Sequence, residues 1–150
     1  MKKDIYYFPK PGPQNTDETL RAALERARAL GIKKIVVATN TGKTPLRLLE
    51  LIPSGEEYEI IAVSVSAHTP KIGLPPERKA ELVAKGIKVI HAYSGAEGAL
   101  ERGDIPYPNV ERSIAAALST VSTGLHAIFW CVLAALDQGL INPEEEVIAV

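Results

Sequence analysis

With 150 residues, 17 basic against 18 acidic side chains and a net charge of −1, the sequence bounds one domain able to bury roughly 68–70% of its unfolded surface without staples. The charges are spread evenly, so no basic stripe marks a nucleic-acid face, and nucleic acid is disfavoured as a partner. No run is long and apolar enough to span a bilayer, and no signal-like core follows the amino-terminal lysines, so a soluble, cytoplasmic protein without a membrane partner is expected.

Three prolines within residues 9–13 keep residues 1–14 extended, as an arm leading into a single domain that takes up the rest of residues 1–150. Asp17 and Glu18 in a first turn, followed by Leu20, Ala23, Leu24, Ala27 and Leu30 at helical spacing, predict a helix ending at Gly31. A short connection leads to a buried strand, Ile35-Val36-Val37-Ala38, which breaks into Thr39-Asn40-Thr41-Gly42-Lys43-Thr44. Pro45 then sits in the first turn of a second helix, which Pro53-Ser54-Gly55 ends.

A second strand is expected over residues 59–65, with a polar exit at Ser66, His68 and Thr69 and a helix from Pro75-Pro76 to Gly86. A third covers residues 87–90 and exits at His91 and Ser94. After an irregular stretch, Asn109 starts a helix that Ser122-Thr123-Gly124 interrupts. Residues 125–136 are apolar nearly all round, as for a helix buried in a core or against a partner, and Gly139 caps them. Residues 147–150 read as a fourth strand. Apolar runs alternating with helical patterns predict an α/β fold of three layers: a mostly parallel sheet of about four to five strands with helices on both faces.

The stretch Thr39-Asn40-Thr41-Gly42-Lys43-Thr44 has the outline of an anion site, because a helix starting at a strand exit presents unpaired N–H groups and the positive end of its dipole. Its hydroxyls add donors, Gly42 allows close backbone approach and Lys43 adds charge. It is not a Walker A loop, since Val37 stands where that motif needs a glycine. The alternative is an ordinary turn in which Thr41 or Thr44 caps the helix. The histidines His68, His91 and His126 lack metal-ligand spacing, so no metal is expected. His126 reads as a hydrogen-bonded core or interface residue, Cys131 as a buried, inert thiol, and no Gly-x-Ser-x-Gly elbow suggests a hydrolase.

The chain resembles a family of small proteins similar to the C-terminal α/β domain of pyruvate kinase. The resemblance is carried by Phe8 with Pro11-Gly12-Pro13-Gln14-Asn15-Thr16, by Arg26-Ala27-Arg28-Ala29-Leu30-Gly31-Ile32, by the Val-Val-Ala-Thr-x-x-Gly-x-Thr loop, by the Gly-Ile-Lys-Val turn and by Asp137-Gln138-Gly139-Leu140-Ile141 before the last strand. It implies a phosphorylated small-molecule ligand, with FMN foremost as cofactor, at the strand exits and without kinase activity. Thr39, Asn40, Thr41, Gly42, Lys43 and Thr44 would hold the phosphate; Ser66, His68, Thr69, His91 and Ser94 would line the remainder, and Gly124 is carried over from a glycine pair of the family. The sequence departs from the family in having Ile72 and Leu74 where an aromatic would flank a flavin ring, and in ending at Val150, where the family runs on into a glycine-rich segment and another strand. A metabolite-sensing domain for a sugar phosphate and a structural or oligomerisation module with a vestigial loop are the alternatives. The residues name no catalytic group. The apolar helix around Phe129 and Trp130 is expected to pair with a second copy in a homo-oligomer.

Overall fold

The run of β-branched residues in Lys-Ile-Val-Val-Ala forms the central strand β1 (Lys34–Ala38) in a computed structural model that describes residues 5–64, 73–92 and 110–150. With β2 (Glu59–Ser64), β3 (Lys88–His91) and β4 (Ile148–Ala149) it makes a four-stranded, all-parallel sheet in the order β3-β2-β1-β4. The pairing sets Ile35 beside Ile60, Val37 beside Ala62 and Ser64 beside His91. The chain lays strands outward from β1 to β3, then returns to place β4 on the other edge of β1.

The alternation of side chains along a strand splits the core into two. On one face Ile35, Val37, Ile60 and Ala62 pack with Leu20 and Leu24 of α1 (Thr16–Leu30), Leu48 of α2 (Lys43–Leu51) and Leu82 of α3 (Pro76–Ala84). On the other, Val36, Ile61, Val63 and Ile90 meet Cys131, Ala134 and Ala135 of α5 (Thr123–Asp137). Small residues on α5 let that helix approach the sheet closely. The expected three layers are therefore present. α4 (Val110–Val121) packs against α5.

Local chemistry explains the boundaries. Residues 5–12 carry no helix or strand, and the extended arm gives way at Pro13 to a short 3₁₀ turn, Pro13–Asn15, braced by Asn15 Nδ2 donating to the Lys10 carbonyl at 2.8 Å. β3 begins one residue later than its apolar pattern suggests, because the Ile87 N–H is drawn back to Leu82 O and closes the end of α3. Ser122-Thr123-Gly124 is more than an interruption. Ser122 is extended, and its Oγ accepts the N–H groups of Gly124 at 3.0 Å and Leu125 at 3.4 Å, so the break in α4 is the N-cap of α5. At the other end Gly139, in the left-handed region at φ 68°, stops the helix as expected.

Candidate functional site

The hydrogen bonding of the sheet runs one residue past the end of β1. The Thr39 N–H still donates to Val63 O at 2.8 Å, so the sheet carries a buried threonine to its carboxyl edge. The Thr39 hydroxyl accepts the Gly42 N–H at 2.9 Å and folds the chain back on itself. Gly42, at φ 77° and ψ −4°, is the N-cap of α2 and occupies the left-handed region that a glycine enters without strain. The Thr41 hydroxyl accepts the Lys43 N–H at 3.4 Å.

The expectation that Thr41 or Thr44 occupies the cap position is thus corrected. Gly42 holds it without a side-chain cap, because its backbone conformation completes the turn, while Thr39 and Thr41 brace the loop from inside. The donors that remain for a ligand are consequently specific. Pro45 has no N–H, and those of Gly42 and Lys43 go to threonine oxygens, which leaves the Thr44 N–H facing the amino end of α2 without a partner among the described residues. The protons of the Thr39, Thr41 and Thr44 hydroxyls and the exposed Lys43 ammonium complete the set.

Beside this loop lies the exit of β2. Ser64 is 1% exposed, and its Oγ accepts the Leu74 N–H at 3.2 Å, anchoring the approach to α3. That anchor brings in a residue that no local motif announces. A Cβ placed on Gly42 would overlap Arg78 Cγ and lie 2.7 Å from its Cδ, so the stem of Arg78 lies directly on the glycine. The Arg78 guanidinium is paired with Glu81 at 2.6 Å on the same helix.

Of the expected site residues, Thr39, Asn40, Thr41, Gly42, Lys43 and Thr44 form one loop. His91 ends β3 two strands away, about 10 Å along the carboxyl edge by ordinary strand spacing; its carbonyl accepts Gln138 Nε2 at 3.2 Å. Ser66, His68, Thr69 and Ser94 lie outside the described residues. Gly124 lies in the first turn of α5, where its N–H is taken up by the Ser122 cap, about 20 Å along that helix from Gln138. His126 is the residue expected to be a hydrogen-bonded core or interface histidine. Its Nε2 is buried without a partner among the described residues, and its ring meets Trp130 edge-on.

A depression of about 1050 Å³ lies at the opposite, amino-terminal edge of the sheet and is lined by Lys33, Lys34, Tyr58, Glu59 and Glu145 among others. Among its lining side chains, Lys34, Glu59 and Glu145 are already paired. Lys34 Nζ lies 2.8 Å from Glu145 and donates to Leu140 O at 2.8 Å; the Glu145 carboxylate raises the Lys34 pKa above its ordinary value. Lys88 is paired with Glu59 at 2.6 Å. A charged ligand would have to break these pairs, whereas the β1–α2 loop offers donors without doing so. Ligands of open α/β sheets also bind at carboxyl ends, where the strand order reverses, and β1 is where this sheet reverses. Among known families, residues 17–150 match the model described as pyruvate kinase, alpha/beta domain.

Proposed function

The chain belongs to the pyruvate kinase alpha/beta domain family, and from that premise we propose that it binds a phosphorylated small ligand, FMN foremost, with the phosphate seated on the β1–α2 loop. The observation that carries the reading is the left-handed Gly42 turn at the carboxyl end of β1, which gathers the Thr44 N–H, three threonine hydroxyls and Lys43 at the positive end of α2. Thr39 and Gly42 shape the seat, Thr41 and Thr44 donate to the phosphate oxygens, Lys43 balances charge, and Asn40 lines the turn. The body of the ligand runs along the carboxyl edge of the sheet toward His91, a reach of about 10 Å. FMN, when bound, would supply redox chemistry; this chain's residues bind and orient it. The proposal is one of binding, not of phosphoryl transfer.

The test is a thermal-shift and visible-absorbance titration of the full chain with FMN, inorganic phosphate and a sugar phosphate. A ligand at 100 times its dissociation constant adds about 2.7 kcal/mol to the native state. Saturable stabilisation by FMN with a shifted flavin spectrum supports the reading. Stabilisation by the sugar phosphate alone assigns the site to a metabolite sensor, and no response to any of them leaves the loop a structural turn.

We also propose that a second copy of the chain covers the apolar surface of α4 and α5. Val121 is 75% and Leu125 37% exposed at the junction of these helices, and nearby Trp130 Nε1 and His126 Nε2 lack partners among the described residues.

A further inference from the structure

Arg78 occupies the third position of α3, far in sequence from the β1–α2 loop, yet its aliphatic stem rests on Gly42, with Leu74 Cδ1 3.5 Å from where a Cβ would stand. The placement is enforced from two sides. Ser64 holds the Leu74 N–H at the exit of β2, and Pro75-Pro76 set the direction in which α3 leaves. The guanidinium uses Nη1 to donate to Glu81 Oε2 at 2.6 Å, one turn along α3; Nε and Nη2 have no partner among the described residues. Both side chains are more than a third exposed, so the pair is easily exchanged for another.

We propose that Arg78 is a hinged second cation of the phosphate site: it is held by Glu81 in the free protein and swings onto the phosphate of a bound ligand, selecting phosphate monoesters over diesters. This rests on the phosphate reading above. A monoester carries about −1.5 to −2 charges at neutral pH, more than the single charge of Lys43 balances. A guanidinium matches two oxygens of such a group at once, which an ammonium cannot do. A diester has one charge and a blocked face, so it gains little from Arg78. The stem of Arg78 is the pivot: its Cγ and Cδ stay on Gly42 while the planar head exchanges Glu81 for the ligand.

The experiment is calorimetric titration of the wild type, R78Q, R78K, E81Q and K43A with inorganic phosphate, phenyl phosphate and its methyl diester, at two salt concentrations. Gln keeps the carbons that pack on Gly42, so R78Q retains the contact and changes only the head group. R78Q should lower the affinity for phenyl phosphate about tenfold, flatten its salt dependence and erase the preference over the diester. R78K should restore the salt dependence without the preference, and E81Q should tighten binding severalfold by freeing the guanidinium. If R78Q and E81Q bind as the wild type does while K43A weakens binding, Arg78 is packing only and the proposal is overturned with the site intact. If the wild type takes up no phosphate compound, the reading of the site itself fails and this inference falls with it.

Discussion

At Gly42 two requirements coincide: a left-handed backbone and no room for a Cβ beneath Arg78. Gly42→Ala should therefore lower the stability by about 1–3 kcal/mol, read from the urea midpoint at unchanged slope. Thr39→Val keeps the branched shape in its buried place but removes the oxygen that accepts the Gly42 N–H, for an expected loss of about 1–3 kcal/mol by the same measurement. A smaller loss at either site would mean that the loop rearranges around the change. Cys131 makes the opposite case, of a group with chemistry that its surroundings suppress. Burial pushes its thiol up to about 11, so it stays protonated at neutral pH. A thiol reagent should label it at the rate of unfolding, and fast labelling in native buffer would contradict the packing of α5 on the sheet. The loop and the inert thiol are legible in the residues themselves. Arg78 is not, because its role depends on a neighbour brought to it only by the strand pairing.

Between elements, α1 and α2 are pinned by a two-point contact in which Arg47 Nε and Nη2 donate to Asp17 Oδ1 at 2.8 Å and Oδ2 at 2.6 Å. The Arg47 hydrogen bond holds the Asp17 carboxyl below its ordinary value; Arg28 does the same for Glu56, and Lys34 for Glu145. Carboxyls depressed in the folded state contribute stability that is present above their unfolded values and lost as pH falls through the folded ones. The melting temperature should accordingly drop on acidification below about pH 4, and Arg47→Met should make that drop shallower. Lys34, raised by Glu145, works in the other direction: its contribution is present at neutral pH and lost as pH climbs beyond its ordinary 10.5. At the junction of the last helices, Ser122→Ala removes the acceptor of two N–H groups and should cost about 1 kcal/mol with a small loss of helical circular dichroism. The prolines and glycines that punctuate the chain place most element boundaries correctly. Where β3 starts a residue late, the helix end before it decides, since the Ile87 N–H serves α3 in place of the sheet.

At the scale of the whole molecule, the apolar pattern of residues 123–137 has two fates along one helix. Cys131, Ala134 and Ala135 are buried on the sheet, while Leu125 at the other end is 37% exposed. If a second copy covers that end, light scattering at working concentration should report at least a dimer, and Val121→Glu with Leu125→Glu should return it to a monomer that still melts cooperatively. A monomeric wild type would sink that proposal.

The amino-acid sequence by itself determined the α/β class, the family, the alternation of strands and helices and the threonine- and glycine-rich turn after β1. These follow from periodicity, turn residues and capping, which act over a few neighbouring positions. Only the tertiary structure decided that β4 returns to the free edge of β1, that Gly42 lies under Arg78 and that Lys34 is compensated by Glu145. Those outcomes rest on pairings between distant segments, whose energies exist only once the sheet register has brought the partners together.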